Sequence, residues 1–164
     1  MPSEPNLMGE LTIGPVKPYE MDTVCGIAKV AWEPIHDHMV RSLGGDLHEV
    51  LSPSWKDAKA GQIRKQFEDR PEWVLVVRDE ADVVAFVTFA IDVEKSVGTI
   101  RNNAVGTDYQ GRGIGTAMYQ HVLGLFREAC LKYASVTTGL DPGHAPARKA
   151  YENAGFNLRR EDVT

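Results

Sequence analysis

The hydrophobic pattern of this chain switches between two periods. From Glu20 on, Val24, Ile27, Ala28 and Ala31 recur at i, i+3, i+4 and i+7, one face of a helix that Pro34 is expected to end. A second helical segment over 35–43 closes on Gly44-Gly45. "SPSW" (52–55) reads as a helix start, with Ser52 as N-cap and Pro53 at the first helical position. Pro71 limits that helix to about Asp69. "EWVLVVRD" and "DVVAFVTFAID" are then dense in Val and Phe and meet at Glu80-Ala81, which predicts an antiparallel pair of strands. "VGTIRNNAV" (97–105) is a third strand. Helical spacing returns at Ile114, Ala117, Met118, Val122, Leu125 and Ala129. "YASVTTGL" (133–140) predicts a strand, and Ala147, Ala150, Tyr151 and Ala154 share one face of a short helix over 145–155 that Gly155 caps.

Both ends of the chain add shorter elements. "LTIGPVKP" (11–18) predicts an early strand that Pro15 and Pro18 push to an edge or end, and "FNLRREDVT" a final one. Residues 1–9 carry two prolines and read as a disordered tail, which leaves 10–164 as one domain. The order is strand, two or three helices, three strands, helix, strand, helix, strand. That is a mixed α/β layout, antiparallel in its first half and βαβ-like in its second.

Composition narrows the partners. The net charge of -5 argues against nucleic acid as the main ligand and leans slightly toward a cationic small molecule, such as a polyamine or amino compound. The longest near-apolar run, Val83 to Ile91, is too short to span a membrane. Cys25 and Cys130 lack a CxxC neighbour and read as two buried free thiols, which fits a reducing, cytoplasmic setting. "HDH" (36–38), with His48 nearby, invites a metal reading. Residues i and i+2 do not share a helical face, so no metal is expected, and His36 or His38 reads better as an acceptor-site residue.

The stretch "YQGRGIGT" (109–116) carries the clearest chemistry. Glycine destabilises a helix interior by roughly 1 kcal/mol relative to Ala, yet three stand at the start of a helix. A helix N-terminus offers unsatisfied N–H groups and a partial positive charge, and glycines let a phosphate reach them. Arg112 adds a nearby cation. The dinucleotide fingerprint GxGxxG fails because Thr116 stands where a third glycine is required, and the P-loop pattern fails as well. Gln110, Gly113 and Gly115 do satisfy Gln-x-x-Gly-x-Gly.

At this point the chain resembles the GNAT superfamily of N-acetyltransferases, whose acetyl-CoA pyrophosphate loop has that pattern. "HAPARKAYENAGF" (144–156) is similar to the family's N-x-x-A-x-x-x-Y-x-x-x-G-F segment, with Ala147, Tyr151, Gly155 and Phe156 in place. The resemblance implies the acyl-CoA N-acyltransferase fold, with splayed parallel strands at the acetyl-CoA site. It implies pantetheine pairing with the backbone at Ala104 and Val105, and pyrophosphate on the N–H groups of Gly111, Arg112, Gly113, Ile114, Gly115 and Thr116 behind Gln110. Ala147 and His144 fall beside the cofactor, although His144 stands where the family often has Asn. Tyr151 matches the tyrosine that protonates the departing thiolate.

No acid lies on "TIRNNAV", where Asn102 and Asn103 face opposite sides and one is expected to face the acceptor. Glu33, at the end of the first helix, is the first candidate for the general base, ahead of Asp92, Glu94 and water relays. The expected activity is acetyl transfer to a primary amine of a small molecule in a ternary complex. The alternatives are a protein N-terminal or lysine acetyltransferase and a non-catalytic acyl-CoA-binding domain. The chain stops eight residues after Phe156, so the sheet is either shortened or completed by a second subunit in a homodimer.

Overall fold

A computed structural model describes residues 4–162. One six-stranded sheet organises them, in the order β1 (Asn6–Met8), β2 (Leu11–Pro15), β3 (Val74–Asp79), β4 (Asp82–Asp92), β5 (Val97–Val105) and β6 (Tyr133–Val136). Every neighbouring pair is antiparallel except β5 and β6, which run parallel. The β3–β4 hairpin turns at Glu80, which takes a left-handed φ of 54°.

The strands read as continuous apolar runs because both faces of the sheet are covered. Val74, Val76, Phe86 and Ala104 pack with Met21, Val24 and Ala28 of α1 (Met21–Leu43) and Ile63 of α3 (Trp55–Asp69). On the opposite face Leu75, Val77, Val87, Phe89 and Ile100 pack with Ile114, Met118, Val122 and Phe126 of α4 (Ile114–Glu128) and Tyr151 of α5 (Ala145–Ala154). A Cβ at Gly98 would stand 2.5 Å from the Phe126 ring, so that glycine lets α4 close on β5. No helix among the described residues is long and apolar enough to cross a membrane.

A bulge in β5 sets up the site. The register pairs Val87 with Asn103 and Phe89 with Ile100, so Arg101 and Asn102 together oppose Thr88. The Thr88 hydroxyl donates to the Asn102 carbonyl at 2.8 Å and fixes the bulge. Pairing with β6 stops at Ile100–Val136. From Arg101 to Val105, β5 therefore has β4 on one side and a gap on the other. For the same reason β6 covers only Tyr133–Val136 of the strand expected over 133–140.

Several sequence expectations change. Pro34 does not end the first helix; α1 runs through it to Leu43, losing only the bond a residue-34 N–H would make, and Ile35 beyond it is buried. Residues Gly45–Leu51 form an added helix, α2, which Ser52 closes, so Ser54 rather than Ser52 precedes α3. The expected tail contributes β1, because Arg78 binds Glu4 and the Ile13 N–H bonds the Pro5 carbonyl; residues 1–3 lie outside the described region. Arg78 is itself buried and bonds Glu20 through two nitrogens, at 2.7 and 2.8 Å. Residues 156–162 form no strand, and Leu158 is 96% exposed among charged neighbours. Both thiols are free, but only Cys25 is buried; Cys130, just past α4, is exposed.

Candidate active site

An open cleft of about 2110 Å³ runs between the two helical layers, along the gap beside β5. Its first half is built from backbone. Gly111 and Gly113 adopt φ of 77° and 83°, left-handed values that glycine takes without strain. A Cβ at either would meet nothing within 4 Å, so conformation rather than crowding calls for glycine there. Gly113 is the N-cap of α4, no side chain caps that end, and the first helical bond runs from the Ala117 N–H to the Gly113 carbonyl. The N–H groups of Ile114, Gly115 and Thr116 thus point out of the first turn without an intrahelical acceptor. Ile114 contributes only its backbone, because its side chain is core.

The β5 edge continues this backbone surface. Gly106 N–H bonds the Val84 carbonyl, so by antiparallel alternation Ala104 also faces β4, and the main-chain groups of Asn103 and Val105 face the gap. Gln110 Nε2 donates to the Val105 carbonyl at 3.1 Å and ties the loop to this edge. Across the gap, Thr138 lines the cleft with a buried hydroxyl that has no partner among the described residues. His144 is the N-cap of α5, but its ring nitrogen meets the Asp141 carboxylate at 2.5 Å instead of capping the helix. Burial, the largest single influence, would raise the Asp141 pKa; the bond to His144, the His144 charge and backbone N–H groups together outweigh it and hold the carboxyl below its usual value. His144 and Ala147 both line the cleft. Arg112 does not, because its guanidinium sits 4.8 Å from the Tyr109 ring centroid and donates to the Asp108 carbonyl.

Tyr151 stands in the middle of the cleft, at the end of a polar chain. Tyr119 Oη donates to Asn103 Oδ1 at 2.5 Å, and Asn103 Nδ2 donates to Tyr151 Oη at 2.9 Å. The two phenol rings lie 4.5 Å apart. Because Tyr151 Oη accepts from Asn103, its own proton is left to donate elsewhere. Burial raises the Tyr151 pKa against the opposing influence of the Asn103 bond and of the neighbouring Tyr119 hydroxyl. Burial also pushes Tyr119 up strongly. Asn102 and Asn103 do face opposite sides, as alternation required. Asn103 faces the tyrosines and Asn102 faces α3, where Lys59 donates to its Oδ1.

The second half of the cleft is built from side chains of α1 and α3, including Trp32, Glu33, Asp37 and Gln62. Glu33 is half exposed and ion-paired with Lys56 at 3.3 Å. Asp92 and Glu94 do not line the cleft, nor do His36 and His38. His36 instead stacks on Trp55 at 3.9 Å and meets His48 at 2.9 Å, packing α1, α2 and α3 together. Burial, with His48 next, lowers the His36 pKa. Among the described residues no three metal-ligating side chains cluster. Tyr119, Thr138 and Trp32, which line the cleft, had no motif to announce them. Tyr119 reads in sequence as one more apolar residue of α4.

The sequence profile of the acetyltransferase (GNAT) family matches residues 32–156. No curated protein is similar enough in sequence to count as a relative. Among solved structures, Ard1 from Thermoplasma volcanium is 20% identical over 93% of this chain and 86% of its own, with a TM-score of 0.67. The PaiA N-acetyltransferase of Thermoplasma acidophilum, in complex with coenzyme A, is 12% identical over 94% of both chains, with a TM-score of 0.73. An aminoglycoside antibiotic 6'-N-acetyltransferase from Acinetobacter haemolyticus is 10% identical over 93% of this chain and 95% of its own, at 0.63. At these identities the likeness is one of fold.

Proposed function

The chain belongs to the acetyltransferase (GNAT) family and is an acetyl-CoA-dependent acetyltransferase, and we propose that it acetylates a primary amine of a small molecule by direct attack, with both substrates bound. The observation that carries this reading is the continuity of the cleft. One cavity joins the glycine loop, the free edge of β5, Tyr151 and the α1/α3 wall, so donor and acceptor are held together. A solved enzyme of the same fold, with an aminoglycoside as its acceptor, supports the small-molecule class.

The residues present fit the donor. An anion of the pyrophosphate type suits the uncapped N–H groups of α4, where each charge-assisted hydrogen bond contributes about 1.5–3 kcal/mol. The amides of the pantetheine arm suit the main-chain groups of Asn103 and Val105 and the unpartnered Thr138 hydroxyl. In this reading Gln110, Gly111, Gly113, Gly115 and Thr116 shape the anion site, and His144 and Ala147 flank the arm. Arg112 adds long-range positive charge, its guanidinium being held on Tyr109. Acetyl-CoA supplies an activated acyl group whose thiol leaves more readily with a proton.

Tyr151 holds that proton. Its raised pKa keeps the phenol protonated at neutral pH, and Asn103 aims it by occupying the oxygen's acceptor site. Glu33 is the proposed acceptor of the amine's proton, reached through solvent at the rim of the cleft. A thiol-release assay with acetyl-CoA across amines, amino acids, aminoglycosides and peptides tests the assignment. Turnover with small amines is expected. Turnover with peptides alone would move the chain to the protein-modifying class, and silence across the panel would make it an acyl-CoA-binding domain.

A further inference from the structure

Helix α4 buries five side chains, and one of them carries a hydroxyl. Ile114, Met118, Val122 and Phe126 are apolar, whereas Tyr119, only 3% exposed, ends in Oη. A phenylalanine ring would serve the core as well, and a buried hydroxyl costs free energy unless it is bonded. Packing therefore does not account for this oxygen. Its bond to Asn103 does.

The Asn103 side chain has two N–H donors and one carbonyl oxygen, and all are in use. Nδ2 donates to the Arg101 carbonyl at 2.8 Å and to Tyr151 Oη at 2.9 Å. Oδ1 accepts from Tyr119 Oη, its one donor among the described residues. The Arg101 carbonyl thus anchors the nitrogen end of the amide, and Tyr119 anchors the oxygen end. Tyr151 Oη already touches this amide, so its O–H is the donor within reach of an unfilled Oδ1. Without Tyr119, rotation of the amide would let Tyr151 donate to Oδ1. The proton needed in the cleft would then be held by the protein. Burial, with the neighbouring Tyr151 next, raises the Tyr119 pKa, so this donor stays protonated.

We infer that Tyr119 is a positioning residue for acetyl transfer, on the reading of Tyr151 as the proton donor: its hydroxyl fills the Asn103 oxygen and so keeps the Tyr151 proton free for the departing thiolate. The three side chains come from three elements, α4, β5 and α5, and form one ordered row of donors.

Tyr119→Phe removes the donor and keeps the ring. It is expected to lower kcat about fivefold, with the Kd of acetyl-CoA and the KM of the amine each within about twofold. A carbonyl that accepts the phenol's proton favours the neutral form, so the alkaline limb of kcat is expected to move up by about half a pH unit. A packing role would move neither. Asn103→Ala removes the amide through which Tyr119 acts, so adding Tyr119→Phe to it is expected to change kcat by less than about twofold. The rise in melting temperature with acetyl-CoA reports an intact fold. The double variant leaves no orphaned oxygen and carries the test where the single variant does not fold. Native kcat and an unmoved limb in Tyr119→Phe, or a further fall beyond twofold in the double variant, would overturn the inference.

The ¹³Cζ resonance of Tyr151 in tyrosine-labelled protein reads the same bond without turnover. A resonance that moves on Tyr119→Phe, in an enzyme whose Tyr151→Phe variant keeps native turnover, defeats the acid assignment and leaves the order of donors standing. A resonance that stays still while Tyr151→Phe is slow defeats the role of Tyr119 and keeps the acid.

Discussion

In the proposed reading, the two halves of the cleft recognise their substrates by opposite means. The donor half is main chain: the first turn of α4, two left-handed glycines and the unpaired edge of β5. The acceptor half is side chain: Trp32 and Glu33 on α1, Gln62 and Gln66 on α3, and Asn102 on β5. A backbone site demands particular residue types at fixed spacing, because glycine takes without strain the left-handed conformations that shape the loop into the first turn of α4. A side-chain site is assembled across helices distant in sequence, and many residue sets serve. One half therefore fixes the donor, and the other is free to set the acceptor.

Substitutions at the two halves should separate donor binding from chemistry. The largest effect is expected from Gly113→Glu, which strains a left-handed position and sets a carboxylate at the anion site. Acetyl-CoA affinity should fall at least 100-fold, about 2.8 kcal/mol, by isothermal titration. Unchanged affinity would break the backbone account. Tyr151→Phe comes next. Removing a positioned proton donor should lower kcat by about 10²-fold, with the Kd of acetyl-CoA within threefold. Equal turnover would reduce Tyr151 to a packing residue.

Asn103→Ala leaves the phenol in place but removes its orientation, and a fall in kcat of about tenfold is expected. The sign of its pH effect is fixed. The Asn103 bond lowers the Tyr151 pKa against burial, so losing it raises that pKa, and the alkaline limb of kcat should move to higher pH. A limb that stays still would detach Asn103 from the acid. Glu33→Gln is the mildest case. An exposed carboxylate is readily replaced by water, so kcat/KM should drop by only about threefold, again by steady-state kinetics. No change at all would leave Glu33 as the ion-pair partner of Lys56 alone.

The contrast between the halves also explains what the sequence disclosed. β5 over 97–105, the α4 start and the α5 helix capped by Gly155 were legible because each rests on local rules: alternation, glycine conformation and a C-terminal cap. Pro34 misled because α1 packs on the sheet strongly enough to carry a helix through one missing bond. β1 was hidden because its order comes from Arg78, some 70 residues away, and no local pattern encodes that contact. Tyr119 was invisible for a related reason. It keeps the helical period of the core, and only the fold reveals that its hydroxyl reaches Asn103. Lys59 looked like any surface lysine of a polar helix until α1 and β5 closed around it.

Melting the native protein with acetyl-CoA and with desulfo-CoA tests the central claim most directly, since the second ligand keeps the pyrophosphate and lacks the thioester. Saturation at about 100 times Kd stabilises a folded protein by about 2.7 kcal/mol. Both ligands are expected to raise the melting temperature, the desulfo compound by most of the acetyl-CoA shift. No shift with either at millimolar concentration, or a shift with acetyl-CoA alone, would contradict a donor site built on the backbone of the glycine loop.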